Sequence, residues 1–239
     1  MPSASEYLLA GSSGEAERLR IQALAWEPQV EIMLTEMGVE PGWRCIDVGC
    51  GSQGIIGPLA RRVGRGGSVV AFDRDPVLLM AARQYCKSKE FGNVEFRQGD
   101  LFAMDLPAGS FDLVHARFVL APIGRDREVL ERMVCLVRDG GLIALEEPDT
   151  ANWTCTPPSP AWDYLKASVL RAFEDSGGDL NAGARLGKLL RGRELQPVHV
   201  REAVLTLPGR HPYSRMLIRL AQSLRARATL PGLQLHLQE

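Results

Sequence analysis

Cys45-Ile46-Asp47-Val48-Gly49-Cys50-Gly51-Ser52-Gln53-Gly54 is the stretch from which the fold is read. A short apolar run meets an acid and then a glycine-rich turn, and Ile55, Ile56, Leu59 and Ala60 follow at helical spacing. That order predicts a buried strand, a tight loop and a helix N-terminus. Glycines admit positive φ and leave room beside the backbone, so such a junction lets main chain approach a nucleotide-like ligand. A G-x-G alone is weak, and its meaning depends on what lies downstream.

Downstream the same rhythm repeats. The first strand is expected over 43–48 and its helix over 54–63, closed by Gly64, Gly66 and Gly67. A second strand over 68–72 ends at Asp73, and Pro76 opens a helix over 76–89 with Leu78, Leu79, Ala82 and Tyr85 facing inward. Strand three is expected over 93–97, ahead of Gly99-Asp100, and strand four over 110–116. A helix over 126–137 stops at Asp139-Gly140-Gly141, and strand five follows over 142–146. Strands alternating with helices predict a mostly parallel sheet covered on both faces. Upstream, Ser12-Ser13-Gly14 precedes a helix start at Glu15, and Leu19, Leu24, Val30, Met33 and Leu34 form an amphipathic segment with an expected break at Pro28. Beyond Pro148, helices are expected over 162–173 and 213–228, with a short one around Leu186, Leu189 and Leu190. The alternating run over 198–207 reads as strand six, and a seventh strand is faint, over 233–237.

The composition is that of an ordinary globular chain: 239 residues, 45% apolar, 24% charged. A net charge of -1 offers no steering toward nucleic acid or an anionic membrane. Five cysteines at irregular spacing, with no C-x-x-C pair or Cys/His cluster, are expected to be reduced and to bind no metal. No apolar run reaches membrane-spanning length, and the N-terminus lacks a basic region followed by an apolar one, so a cytoplasmic location is expected.

In an open parallel sheet, ligands sit beyond the carboxyl ends of the strands. Asp47 and the glycine loop close strand one, Asp73 closes strand two, Asp100 follows strand three, and the residues from His115 to Phe118 close strand four. An acid after strand two can accept ribose hydroxyls, and one after strand three can accept from an exocyclic amino group of a purine. Phe72 and Leu101 can flank the ring. Nicotinamide dinucleotide and S-adenosylmethionine both meet these demands. Asp47 ahead of the glycines favours the latter, because a carboxylate burdens a pyrophosphate site but suits a cationic amino and sulfonium ligand.

At these residues the chain resembles the class I S-adenosylmethionine-dependent methyltransferases that modify small molecules. The resemblance is carried by Ile46-Asp47-Val48-Gly49-Cys50-Gly51, Val70-Ala71-Phe72-Asp73, Gly99-Asp100-Leu101, Phe111-Asp112-Leu113-Val114 and Val137-Arg138-Asp139-Gly140-Gly141. It implies a Rossmann-like, doubly wound, mostly parallel α/β sheet with an N-terminal helical cap and a helical insertion before strand six. The implied division is a cap over 1–40, a cofactor-binding core over 41–150, and substrate-side helices with the last strands over 151–239. By the family's pattern Asp47 and Gly49 lie under the methionine part of S-adenosylmethionine, Asp73 takes the ribose, Asp100 the adenine amino group, and Leu101 packs on the ring. Tyr7, Cys50, Gly51, Gln53, Arg74, Gly99 and Arg117 complete the expected cofactor set. The chain departs from the pattern in two places. Gln53 stands where the third glycine of the loop is usual, with Gly54 one place later, and Ala121-Pro122 replaces an acid-histidine pair common after strand four.

The resemblance implies methyl transfer to a small molecule, most often at a hydroxyl or phenol oxygen, with S-adenosylhomocysteine as product. His115, at the exit of strand four, is the candidate general base; an equally simple role is to pack or to fix the cofactor loop. Arg117 can anchor the cofactor carboxylate or an anionic substrate group. Phe118, Trp153 and Trp162 are candidates for an acceptor wall, although aromatics at helical spacing are usually core. Glu146 and Glu147 are expected to be solvated or to make helix-start hydrogen bonds rather than to bind metal. The competing functions are an NAD-dependent oxidoreductase and a non-catalytic cofactor-binding homologue. The expected partners are a small-molecule acceptor, with no nucleic acid and no membrane, and a monomer or homodimer.

Overall fold

A computed structural model describes Leu9, residues 14–192 and residues 195–226; the side chains of 225 and 226 are outside the description. Tyr7 and the expected seventh strand therefore lie outside the described residues.

Five strands form one sheet: β1 (Arg44–Val48), β2 (Ser68–Asp73), β3 (Val94–Gln98), β4 (Phe111–Arg117) and β5 (Val137–Glu146). The order is β3-β2-β1-β4-β5 and every pairing is parallel. The chain first winds outward from β1 and then crosses back to its other side, so the order reverses between β1 and β4. That reversal opens a crevice at the carboxyl ends of these two strands.

Side-chain alternation sorts the strands into two cores. Ile46, Val48, Val70, Phe72, Val114 and Ala116 face one side, with α5 (Asp126–Leu136), α6 (Pro160–Asp175) and α8 (Met216–Ala226). Cys45, Val69, Leu113 and Ala144 face the other, with α1 (Glu15–Glu36) and α2 (Ile56–Val63). α3 (Pro76–Ser88) adds Leu79, Ala82 and Cys86 against Ala71 and Ile56. It begins as expected: Asp75 accepts from the N–H groups of Val77 and Leu78 at 2.8 and 3.3 Å, and Pro76 occupies the first turn.

Three expectations are corrected. α1 is not broken at Pro28 but runs through it for 22 residues. The missing backbone donor, a cost of about 3 kcal/mol in a helix interior, is offset by tertiary contacts on both sides of it. Val30 and Leu34 are buried against α2, and Arg61 bridges Glu27 and Glu31 at 2.6 and 2.9 Å. The second correction concerns β5, which starts at Val137 rather than Leu142: Phe111 pairs with Val137 and Leu113 with Leu142, with a bulge between. The Asp139-Gly140-Gly141 segment makes that bulge, with Gly140 at φ 71°.

The third correction is strand six. Residues 198–207 make no ladder with the sheet among the described residues, and none of them is buried; Val200 and Val204 are exposed. An alternating pattern specifies a strand only if one face is covered. Here the segment instead lies near α1, where Arg201 donates to the Gln29 carbonyl at 3.1 Å. The short helices α4 (Leu120–Ile123) and α7 (Gly183–Arg191) complete the described elements, with 3-10 turns at Thr150–Asn152 and Pro212–Arg215. No described helix is long and apolar enough to cross a membrane.

Candidate active site

Asp47 is the penultimate residue of β1 and its carboxylate is the post around which the glycine loop folds. Oδ2 accepts from the Ile55 N–H at 2.9 Å, and Gly49 and Cys50 donate to the Phe72 carbonyl at 2.8 and 3.1 Å. Gly54 has φ 49°, and a Cβ there would stand 2.1 Å from Asp47 Oδ2. The loop therefore demands glycine at 54, which explains the shifted pattern. Gly49 and Gly51 also have positive φ, and a Cβ on either would strike Val119 of the β4 exit or Leu19 of α1, at 2.6 and 2.9 Å.

Asp47 Oδ1 is 2.7 Å from His115 Nδ1, and Glu146 Oε1, at the end of β5, is 2.9 Å from His115 Nε2. Burial of the ring opposes its charge, but the two carboxylates outweigh it and push the His115 pKa up to about 9. The imidazolium donates to both acids. Glu146 is held below the usual carboxylate range: burial raises it, but His115 and Arg117 more than compensate. Arg117, also buried, donates from Nη2 to the Gly54 carbonyl at 2.9 Å. Its Nη1 is 4.0 Å from Glu146 and has no hydrogen-bond partner among the described residues.

A cavity of about 210 Å³ lies over these strand ends. Its wall includes Asp47, Gly49, Cys50, Gly51, Asp73, Arg74, Gly99, Asp100, Leu101 and Arg117. Asp73 accepts from the N–H groups of Gly51 at 2.8 Å and Asp75 at 2.9 Å, and burial pushes its pKa up. Asp100 is exposed and accepts from the Phe102 N–H at 2.8 Å. Gly99 leaves room for the Phe72 ring, which a Cβ would meet at 3.2 Å.

Beyond the β4 and β5 ends the wall turns apolar, with Phe118, Trp153, Phe173, Leu180, Met216 and Leu220. Phe118 holds φ 57°, unusual for a bulky residue, and its ring meets Trp26 of α1 edge-on at 6.2 Å. The 177–183 segment is drawn onto this end by backbone bonds, from Asp179 N–H to the Ala121 carbonyl at 2.7 Å and from Gly183 N–H to the Pro148 carbonyl at 2.8 Å.

Three expected site residues do not reach this cavity. His115 is fully buried between its two acids, out of reach of an acceptor, which makes it a strut rather than a base. Gln53 faces a small separate cleft with Glu27 and Tyr85. Trp162 packs on the core, with Lys166 Nζ 5.5 Å from its ring centroid. Arg18 and Gln22 also line the cavity, within the segment expected to cap the cofactor although neither was singled out, and so does Tyr213, which was not anticipated. Arg18 and Gln22 lie one helical turn apart on α1, a spacing that could have marked them; nothing local marks Tyr213. Glu147 makes the expected helix-start bonds, accepting from the N–H groups of Val119, Leu120 and Ala121 at 2.8, 2.7 and 3.1 Å.

Residues 40–175 match a family model described as a methyltransferase domain. Nocamycin O-methyltransferase of Saccharothrix syringae is 34% identical over 123 residues, which is 52% of this chain and 44% of that protein. Demethylmenaquinone methyltransferase of Geobacillus kaustophilus is 31% identical over 119 residues, half of each chain. The chain thus spans about half the length of the curated relatives it matches. Among solved structures, the YcgJ protein of Bacillus subtilis superposes with a TM-score of 0.59 at 16% identity, covering 83% of this chain and 80% of that one. A SAM-dependent methyltransferase of Aquifex aeolicus superposes with a TM-score of 0.50 at 21% identity, covering 67% and 87%. These two likenesses concern the fold. The family model spans more than half of the chain, over the strand ends that build the cavity, and the chain belongs to the methyltransferase domain family.

Proposed function

We propose that this chain binds S-adenosylmethionine across the strand ends and transfers its methyl group to a small, apolar acceptor, at a hydroxyl or phenol oxygen. The observation that carries this reading is Arg117 Nη1, a buried guanidinium nitrogen in the cavity wall with no hydrogen-bond partner among the described residues. A buried donor left unsatisfied is costly, and the carboxylate of an amino-acid ligand is the acceptor it fits. The rest of the wall agrees with the group. Asp73 would accept from the ribose hydroxyls, Asp100 from the adenine amino group, and Leu101 would lie on the ring. Positive-φ glycines at 49 and 51 leave the floor open to the methionine part. The α1 residues Arg18, Leu19 and Gln22 would close over it, consistent with a cap in the first forty residues.

When bound, S-adenosylmethionine supplies a methyl group on a sulfonium centre, open to in-line displacement by an acceptor lone pair. The protein's contribution is alignment and exclusion of water. Asp47, His115, Glu146 and Arg117 hold the glycine loop against the β4 exit. Phe118, Trp153 and Phe173 would order the acceptor. Membership in the methyltransferase domain family speaks against the nicotinamide-dependent alternative.

Isothermal titration with S-adenosylhomocysteine tests the reading. Two charge-assisted hydrogen bonds at about 1.5 kcal/mol or more each make Asp73→Ala weaken binding by roughly 100-fold or more, at about 1.4 kcal/mol per tenfold. Failure of the wild-type chain to bind, or unchanged affinity in a folded Asp73→Ala variant, overturns it. Binding without transfer to any phenol or hydroxyl acceptor would leave the non-catalytic homologue standing.

A further inference from the structure

The acceptor end of the cavity is short of polar groups. No carboxylate, imidazole or hydroxyl other than the Tyr213 phenol lines it among the described residues; Asp47, Asp73 and Asp100 all belong to the strand-end half. The other polar side chains near it are Arg18 and Gln22 of α1, Arg117, the Trp153 indole and Arg125, which pairs with Glu128 and stacks 3.7 Å from the Phe102 ring centroid. Proton abstraction from an acceptor therefore has no agent in this half of the wall.

Tyr213 is held in one role by its neighbours. It sits on the Pro212–Arg215 turn, where its own N–H donates to His211 Nδ1 at 3.1 Å. Its phenol oxygen accepts from the Trp26 indole N–H at 3.0 Å, and the Trp26 ring is braced edge-on against Phe118. With a lone pair thus occupied and no acceptor for its own proton among the described residues, the hydroxyl has a donor to offer the cavity. Burial pushes the Tyr213 pKa up, against the pull of two nearby guanidiniums, so the phenol stays protonated at neutral pH. Those guanidiniums are Arg18 on α1 and Arg117 on β4, both buried and both in the cavity wall. Arg18 is paired with Glu15 and Gln22, and Arg117 with Glu146 and the Gly54 carbonyl. Together the three elements present a hydrogen-bond donor beside two carboxylate-paired guanidiniums, at the edge of an apolar chamber.

We infer that Tyr213 selects the acceptor, donating a hydrogen bond to the oxyanion of a ring-bearing phenol or enol acidic enough to enter the cavity already ionised. The inference rests on the proposed methyltransferase reading and narrows its acceptor. A protonated amine would find no carboxylate in this half of the wall, and an aliphatic alcohol would find no base. A phenolate meets a donor for its oxygen and aromatic walls for its ring. Tyr213 acts by binding the oxyanion; no proton passes through it.

The test uses the full chain saturated with S-adenosylhomocysteine, with 4-nitrophenol as the probe and its methyl ether, 4-nitroanisole, as the control. The visible absorption of nitrophenolate reports ionisation of the bound probe directly as pH is varied. The bound phenol is expected to ionise at least one pH unit lower than in solution, equivalent to tenfold tighter binding of the phenolate than of the phenol, and to bind more tightly than nitroanisole. Tyr213→Phe is expected to abolish the shift while leaving the affinity for S-adenosylhomocysteine within twofold. Trp26→Phe, which frees the phenol to rotate, is expected to reduce it. No binding of nitrophenol, no lowering of its ionisation, or a shift that survives in Tyr213→Phe overturns the inference. If the wild-type chain does not bind S-adenosylhomocysteine, the methyltransferase reading fails first; if it binds and nitrophenol does not shift, only the role of Tyr213 fails.

Discussion

Replacing His115 with Gln removes a buried cation and leaves the Asp47 and Glu146 carboxylates without the group that joins them. The ring is fully buried, with its nitrogens 2.7 and 2.9 Å from the two acids. Its pKa stands at about 9 in the folded chain against 6.5 as the ordinary value. At 1.36 kcal/mol per pKa unit, that difference is worth about 3 kcal/mol. The figure agrees with the roughly 3–5 kcal/mol lost when a buried ion pair is broken on one side. The folded chain holds the proton more tightly than the unfolded one. The stabilisation is therefore complete below about pH 6.5 and is lost as pH rises through about 9. The assay is urea unfolding of wild type and His115→Gln, followed by circular dichroism, at several pH values across that window. Glu147 titrates in the same range in both proteins, so its contribution cancels in the difference between them. The wild-type advantage is expected to shrink by about 3 kcal/mol from pH 6.5 to 9.5. A difference that stays constant across the window refutes the imidazolium strut.

Glu147 gives a prediction of opposite kind. Burial pushes its pKa up to about 8, against three backbone N–H donors. An acid raised in the folded state loses stabilisation as pH rises from its ordinary value toward the raised one. Glu147→Gln should thus match wild type to within about 1 kcal/mol near pH 4.5 and gain on it as pH rises toward 8, whereas Glu147→Ala should lose about 1–3 kcal/mol near pH 4.5. A loss in Gln as large as in Ala, by chemical denaturation, would mean that the group is ionised. At Gly54 a Cβ has no room beside Asp47 Oδ2, while at Gly38, with φ 65°, nothing lies within 4 Å. Gly38→Ala should cost about 1–2 kcal/mol for left-handed backbone alone, and Gly54→Ala clearly more; equal losses in thermal melts would contradict the role of Asp47 as the post of the loop.

What was legible in the sequence was what local pattern and short spacing encode. The short apolar runs alternating with helical segments, and the acids and glycines that follow them, predicted β1 to β4, the second half of β5 and a mostly parallel sheet, but neither the strand order nor the early start of β5. The acids at strand ends were readable because a parallel sheet brings the carboxyl ends of its strands to one edge, so Asp47, Asp73 and Asp100 needed only the right strand assignments to converge. Tertiary structure decided the rest. His115 reads as a base from its place after strand four, and only the β5 partner brings Glu146 to its second nitrogen. Pro28 reads as a break until α2 packs across it. Residues 198–207 alternate like a strand, yet a strand exists only where an edge accepts its ladder, and no local signal reports which edge is covered. Tyr213 and Trp26 are 187 positions apart and meet through one 3.0 Å bond. The sequence by itself therefore determined the sheet and the acid-lined edge, since each depends on neighbours along the chain. The chamber beside that edge, and the donor that faces it, depend on contacts between distant segments, whose geometry is set by packing.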